Sequence, residues 1–192
     1  MFSTIGPTRN VKNLLLTGKP GVGKTTVIQA VASFFPGEVG GFFTGEIRER
    51  GTRTGFSITA VGGESAIMAH VDFQTPVRVG KYGLDVPAFE RIALPALQDA
   101  VQMKRIIVID EIGKMELASR KFCDAVREVL SSGKLVLATI MQHQHPFADE
   151  IKALPGVEVI EITVHNRREV PTRIGEMIAK GGIGNSFASR SD

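Results

Sequence analysis

Residues 18–26 read Gly18-Lys19-Pro20-Gly21-Val22-Gly23-Lys24-Thr25-Thr26 and are here called the glycine loop. They match the pattern G-x-x-x-x-G-K-[ST]. The apolar run Asn13–Thr17 before them predicts a buried strand, and the residues after them predict a helix from Lys24 to Phe35. Glycines let backbone N–H groups turn toward one point, and the start of a helix adds a positive dipole end. The stretch therefore predicts a binding site for phosphate groups.

The side chains of the glycine loop add specific ligands for a polyphosphate. We expect Lys24 to reach the β- and γ-phosphates as a point charge and Thr26 to lie near the α-phosphate. The hydroxyl of Thr25 is a suitable ligand for Mg²⁺. The predicted nucleotide-binding residues are Gly18, Lys19, Pro20, Gly21, Val22, Gly23, Lys24, Thr25 and Thr26, with Lys24 also catalytic.

A second motif, residues 105–111, reads Arg105-Ile106-Ile107-Val108-Ile109-Asp110-Glu111. An apolar run that ends in acid is typical of a parallel strand covered on both faces. Doubly wound sheets bind ligands at the carboxyl ends of their strands. We therefore expect Asp110 to hold Mg²⁺, directly or through water, and Glu111 to orient the attacking water and accept its proton. Without the glycine loop, a solvated turn would be the better interpretation of these acids.

Strands and helices alternate along the rest of the chain. The further predicted strands are Gly41–Arg48, Thr54–Val61, Lys134–Ile140 and Val157–Thr163, and the further helices are Val86–Gln102, Ser119–Leu130, Phe147–Leu154 and Arg168–Lys180. The first two of these strands flank a turn and predict an antiparallel hairpin, whereas residues 62–82 have no clear pattern. The predicted fold is a three-layer α/β domain with a mostly parallel sheet and an appended hairpin.

Length and composition are those of one globular domain. The chain has 192 residues, of which 43% are apolar and 22% charged, so we expect a single domain over 1–192 with flexible tails at 1–10 and 181–192. No apolar run approaches the ~18 residues that span a bilayer, and no signal-peptide core precedes the first strand. We expect a cytoplasmic protein with no membrane partner, which fits a single cysteine, Cys123.

The charge balance does not favour nucleic acid as a partner. The formal net charge is +3, and the densest basic stretch, from Arg48 to Arg53, has Glu46 and Glu49 beside its arginines. A nucleic-acid surface would need Lys and Arg concentrated on one face. The chain also has no Trp and one Tyr, so bases would have to stack on Phe.

Five strings of the sequence resemble the small P-loop nucleoside-triphosphatases, a family that includes thermophile and human enzymes. They are GKPGVGKTT (18–26), GFFTGEIR (41–48), VGKYGLD (79–85), IIVIDEIGKMEL (106–117) and HNR (165–167). The resemblance implies a P-loop NTPase domain of the RecA-like type, with an additional strand and a catalytic Glu. It also implies Mg²⁺ as cofactor and hydrolysis with broad base tolerance, with ATP, GTP, CTP, UTP or modified nucleotides as substrates.

In a sheet of that type, the strand Lys134–Ile140 lies between the two motif strands. Thr139 would then end beside the γ-phosphate, where it either senses phosphate or simply packs as a β-branched residue. Phosphoryl transfer also needs positive charge in the transition state. The candidates are Lys114, Arg120, Lys81 and Arg78, and Lys114 ranks first as a catalytic residue because it follows Glu111 closely.

Two further regions carry open alternatives. Arg167 is predicted to bind the nucleotide by stacking on the base, the alternative being a helix cap by Asn166 with Arg167 in solvent. The hairpin Gly41–Phe56 is either a lid, with Glu46 and Arg48 near the substrate, or a plain edge ribbon.

The leading functional hypothesis is Mg²⁺-dependent hydrolysis of a nucleoside triphosphate by a monomer or weak homo-oligomer. One alternative is a small nucleotide or nucleoside kinase, which shares the glycine loop but needs an acceptor pocket and usually an Arg-rich lid. Another is an ATPase module stimulated by nucleic acid, which the mild charge disfavours.

Overall fold

The structure, a computed structural model, describes residues 10–11, 13–180 and 183–184. Its strands are β1 (Asn10–Val11), β2 (Asn13–Thr17), β3 (Val39–Glu49), β4 (Thr52–Ala60), β5 (Ser65–His70), β6 (Arg78–Val79), β7 (Tyr82–Leu84), β8 (Ile106–Ile112), β9 (Leu135–Ile140), β10 (Val157–Glu161) and β11 (Ile183–Gly184). Its α-helices are α1 (Lys24–Ser33), α2 (Val86–Met103), α3 (Arg120–Ser131), α4 (Pro146–Lys152) and α5 (Val170–Ala179). A 3₁₀ turn spans Glu116–Ala118.

A nine-stranded sheet organises these elements in the order β10-β2-β9-β8-β3-β4-β5-β7-β6. Neighbours from β10 to β3 pair in parallel, and neighbours from β3 to β6 pair antiparallel. The predicted position of β9, between β2 and β8, is confirmed. The carboxyl ends of the two motif strands and of β9 therefore lie side by side at one edge of the sheet.

The parallel strands are apolar on both faces because helices cover the sheet on both sides. Along β2, Leu14 and Leu16 pack into one core and Leu15 packs into the other, as the two-residue period of a strand requires. Residues of α1 and α5 complete the first core, and residues of α2, α3 and α4 complete the second. The predicted three-layer α/β fold is confirmed.

The antiparallel part of the sheet is larger than the predicted hairpin. Residues 62–82 contain β5, β6 and the start of β7. Since β5 pairs with β4, the hairpin β3–β4 lies inside the sheet, and its interpretation as an edge ribbon was wrong. β5 mixes exposed with buried residues, and β6 has no fully buried one, so both lack the continuous apolar run that reveals β2 and β8.

Several element boundaries also differ from the predicted ones. β8 continues past Asp110 to Ile112, and α5 begins at Val170 rather than Arg168. Most of the two predicted tails, 1–10 and 181–192, lies outside the described residues; β1, which begins at Asn10, pairs there with β11. Among the helices that the structure describes, none is long and apolar enough to cross a membrane.

Gly41 lies where β3 closely approaches β8. Its φ is +103°, and a Cβ there would lie 2.0 Å from the carbonyl oxygen of Val108. We expect Gly41→Ala to lower the free energy of unfolding by about 3 kcal/mol, since left-handed backbone costs about 1–2 kcal/mol and overpacking about 1–3 kcal/mol. Urea denaturation measures the change.

Gly62→Ala is the matched control for this substitution. Gly62 also has a positive φ, +72°, but a Cβ there would meet nothing within 4 Å. It should therefore lose only the backbone contribution of about 1–2 kcal/mol. Equal destabilisation by the two substitutions would contradict the clash with Val108.

Candidate active site

The glycine loop wraps the N-terminal end of α1. Gly18, Gly21 and Gly23 have φ values of +143°, +75° and +106°, which other residues rarely adopt. Gly23 is the N-cap of α1 and makes no side-chain capping bond, so the first N–H groups of the helix remain available to an anion. Lys24 begins the helix, and its Nζ donates a hydrogen bond to the carbonyl oxygen of Gly18 at 3.2 Å.

Asp110 is buried at the junction of three elements. Its side chain lies on β8 with 1% of the residue exposed. The Oδ1 atom accepts hydrogen bonds from Thr139 Oγ1 of β9 at 2.6 Å and from Thr25 Oγ1 of α1 at 3.2 Å. Burial raises the pKa of Asp110, and these two hydroxyls offset part of that effect. Thr139 therefore acts on the carboxylate of Asp110, a role that neither predicted alternative included.

The second oxygen of Asp110 has the character of a cation ligand. Oδ2 is buried and has no hydrogen-bond partner among the described residues. Carboxylate and hydroxyl oxygens suit Mg²⁺, which in phosphate sites often takes only one or two protein ligands along with phosphate and water. The Asp110 carboxylate and the Thr25 hydroxyl, which touch each other, therefore fit a divalent cation. Within residues 13–180, no cluster of three His, Cys, Asp or Glu side chains offers an alternative centre.

Glu111 lies next to this pair but remains accessible. Its side chain is 35% exposed, and Oε1 lies 3.9 Å from the Nζ of Lys24. Burial raises the pKa of Glu111, the charge of Lys24 lowers it and the charge of Asp110 raises it further. A carboxylate that is partly desolvated and still open to solvent is a stronger base than an ordinary surface glutamate.

Two cavities meet at Lys24 and Glu111. The larger one, about 580 Å³, is lined by most of the glycine loop and by the hairpin; its residues are Pro20, Gly21, Gly23, Lys24, Thr25, Thr26, Thr44, Gly45, Glu46, Arg48, Arg53, Phe56 and Glu111. The smaller one, about 240 Å³, adds Gly18, Lys114, Met115 and Glu116 among others. The two cavities share Pro20, Lys24, Thr44, Phe56 and Glu111. Of the predicted loop residues, Lys19 and Val22 line neither cavity.

Of the four predicted positive groups, one lies at these cavities. Lys114 lines the smaller cavity, whereas Arg120, Lys81 and Arg78 line neither. Arg78 instead donates to the carbonyl oxygens of Phe73 and Lys81 within its own turn.

Arg167 lies against the glycine loop. Its Nη1 donates to the carbonyl oxygen of Val22 at 3.1 Å, although the residue is exposed and lines neither cavity. Asn166 does not cap α5: its Oδ1 accepts from the backbone N–H of Thr163 at 2.8 Å and its Nδ2 donates to the carbonyl oxygen of Glu161. Asn166 thus shapes the turn that carries Arg167.

Glu116 was not singled out by sequence reasoning, although it lies in the quoted string 106–117. It is 7% exposed, and its Oε2 lies only 3.0 Å from where a Cβ on Gly113 would be. Burial, followed by the charge of Glu111, raises the pKa of Glu116 from 4.5 to about 8. The available signal was a charged residue between the apolar Met115 and Leu117. Only the fold shows that this side chain lies close to Glu111.

Arg53 was also missed. It lines the larger cavity, where its Nη1 donates to Glu46 Oε1 at 2.6 Å and its Nε donates to the Tyr82 hydroxyl at 3.1 Å. The available signal was that Arg48 and Arg53 flank a turn and that Glu46 lies close to them in sequence. Those residues were considered only for the local charge balance.

Fold and site together define a P-loop NTPase domain. The model of the family described as NTPase matches residues 13–175. The nucleoside-triphosphatase THEP1 of Thermotoga petrophila is 45% identical over 154 residues, which are 80% of this chain and 86% of that protein.

Two solved structures are similar over most of their length. The crystal structure of THEP1 from Aquifex aeolicus has a TM-score of 0.78 at 40% identity and covers 84% of this chain and 96% of its own. The solution structure of a human cancer-related nucleoside triphosphatase has a TM-score of 0.76 at 36% identity, with 88% and 98% covered. The chain belongs to this family of nucleoside-triphosphatases.

The buried carboxyl of Glu116 predicts a pH-dependent stability. Between pH 4.5 and about 8 the unfolded chain releases the Glu116 proton and the folded chain retains it, so rising pH weakens the fold through this group. Glu116→Gln keeps the shape without ionising. We expect its melting temperature without metal, relative to wild type, to rise by several degrees from pH 5 to pH 8. A difference that does not change with pH would contradict this account.

Proposed function

We propose that the enzyme hydrolyses nucleoside triphosphates to the diphosphate and phosphate with Mg²⁺. The observation that carries the proposal is the convergence of Lys24, Glu111 and the Asp110–Thr25 pair at one end of the glycine loop. The names of the relatives, nucleoside-triphosphatase THEP1 and cancer-related nucleoside-triphosphatase, support the same reaction.

The glycine loop would hold the phosphate chain through its backbone amides and the unpaired N–H groups that begin α1. The Nζ of Lys24 donates to the carbonyl oxygen of Gly18, and a terminal phosphate would offer it a stronger, charged acceptor. The small hydroxyl of Thr26 lines the same cavity.

The metal would be held by Thr25 and by the buried carboxylate of Asp110. When bound, the metal would supply positive charge that offsets the negative charge of the phosphates. Thr139 would keep Asp110 oriented, since its 2.6 Å hydrogen bond occupies Oδ1 and leaves Oδ2 without a partner.

Glu111 would orient the attacking water and take its proton. Its accessible carboxylate lines both cavities, so water can reach it, and its raised pKa improves it as a base. Lys114 would add positive charge from the wall of the smaller cavity, which Glu111 also lines.

Broad base tolerance would follow from Arg167. A guanidinium plane stacks on the face of any base and does not require one pattern of donors and acceptors on its edge. The hydrogen bond from Arg167 to Val22 fixes the plane at the loop. ATP, GTP, CTP and UTP, and modified bases of similar size, are therefore the proposed substrates.

Lys24→Ala should abolish phosphate release, with a loss of at least about 10²–10³-fold, because it removes an ammonium that stabilises the transition state. Lys180→Ala is the control, because Lys180 is 78% exposed at the end of α5. Phosphate release is measured with each nucleotide, with and without added nucleosides. Normal turnover of Lys24→Ala would remove the assignment, and phosphorylated nucleosides in place of free phosphate would favour a kinase.

Glu111→Gln should bind nucleotide with nearly wild-type affinity and hydrolyse it about 10²–10⁴-fold more slowly, since a general base contributes a factor of that order. Titration with a fluorescent nucleotide and single-turnover kinetics separate the two effects. Glu128→Gln, an exposed substitution on α3, controls for the loss of a charge. Equal single-turnover rates for wild type and Glu111→Gln would exclude Glu111 as the base.

A further inference from the structure

The larger cavity has two walls of different origin. One wall is the glycine loop with Glu111, and the other is the hairpin, from Thr44 on β3 to Phe56 on β4. A phosphate chain held on the loop would therefore have the hairpin opposite it. Lys24 belongs to the loop wall, so the basic side chains of the opposite wall are Arg48 and Arg53.

Arg48 is fully engaged within the hairpin. Its Nε and Nη2 donate to Glu46 Oε2, and its Nη1 donates to the carbonyl oxygen of Gly51 in the turn. Each guanidinium nitrogen thus has an acceptor in the same hairpin. Arg48 is suited to closing the turn and to holding Glu46.

Arg53 is held differently. Its Nε donates to the Tyr82 hydroxyl and its Nη1 to Glu46, and its guanidinium carbon lies 5.1 Å from the centre of the Phe56 ring. Nη2 has no acceptor among the residues that the structure describes. The side chain is therefore oriented in advance, and the N–H groups of Nη2 are left for a ligand, so little conformational entropy remains to be lost on binding.

The charge of this cluster is also unbalanced. Glu46 carries one negative charge and bonds both Arg48 and Arg53, so the three side chains together keep a net charge of about +1 at neutral pH. That surplus faces the cavity in which the phosphates would lie. Positive charge at that position is what a phosphoryl transfer requires as its transition state spreads negative charge over the terminal oxygens.

We propose that Arg53 is a catalytic residue that contacts the terminal phosphate through Nη2, and that Glu46 and Tyr82 are the positioning residues that aim it. The proposal rests on the proposed hydrolysis. It assigns the positive charge that the transition state needs to a residue of this same chain. It also gives the hairpin a role. The hairpin, which lies between other strands of the sheet, brings the Arg53 guanidinium to the phosphates.

The test compares Arg53→Ala with Arg91→Ala, whose arginine forms an exposed pair with Glu64 away from the site. We expect Arg53→Ala to lower kcat about 10³-fold or more, the order of effect known for arginine fingers. The Kd of a non-hydrolysable triphosphate should change less than tenfold, and binding of the nucleoside diphosphate with aluminium fluoride, a mimic of the transition state, should be lost. Arg91→Ala should change none of these.

The outcomes separate this proposal from the proposed function. If Arg53→Ala keeps wild-type kcat while Lys24→Ala is inactive, the assignment of Arg53 is overturned and hydrolysis at the glycine loop stands. If Lys24→Ala is also fully active, the proposed function itself falls.

A second variant covers loss of folding. Arg53→Lys keeps a positive charge at this position but loses the guanidinium that donates to both Tyr82 and Glu46. If Arg53→Ala does not fold, a drop of at least tenfold in the kcat of Arg53→Lys, with affinity for the triphosphate analogue retained, supports the proposal. A wild-type kcat for Arg53→Lys overturns it.

Discussion

Burial of one carboxylate, that of Asp110, is the constraint on which the rest of the site depends. A charge removed from water is unfavourable unless hydrogen bonds replace the lost solvation. The replacements come from Thr139 on β9 and Thr25 on α1. Both hydroxyls reach Asp110 because β9 lies directly beside β8 and because α1 starts from the loop after β2. The strand order is therefore also an electrostatic requirement.

The parts of the fold that could be predicted are those whose signal is local. β2, β8 and β9 are apolar runs buried on both faces, and the glycine loop is a contiguous motif. β5 and β6 were not predicted, because short strands that are only partly buried have neither a continuous apolar run nor a clear alternation of apolar and polar residues. Asp110, Glu111 and Lys24 were found through their motifs. Glu116 and Arg53 were missed because the residues around them in the fold come from other elements. A local sequence motif does not reveal such contacts.

Three carboxyl groups, of which Glu116 keeps its proton at neutral pH, share one nearby ammonium, so negative charge at the centre of the site exceeds positive charge. Burial raises the pKa of Asp110, Glu111 and Glu116, and Lys24 alone of the neighbouring cations lies within ion-pair distance of Glu111 among the described residues. Such an excess of negative potential attracts a divalent cation, and the cation in turn makes a polyphosphate acceptable there. Burial is the main reason that the pKa of Glu116 is raised and the group keeps its proton, and the negative charge of Glu111 adds to that effect.

The parallel and antiparallel halves of the sheet contribute different residues to the site. This difference determines which side chain can bring positive charge to the phosphates. The parallel half carries the glycine loop, Asp110 and Glu111 at the ends of its strands. The antiparallel half is anchored in the core through Met68, Tyr82 and Leu84, which pack with the α2 residues Phe89 and Ile92. Tyr82 is both part of this core and the acceptor for Arg53. A guanidinium tied to core packing holds its position without a moving lid or a partner subunit, so the chain can complete the charge of its own site.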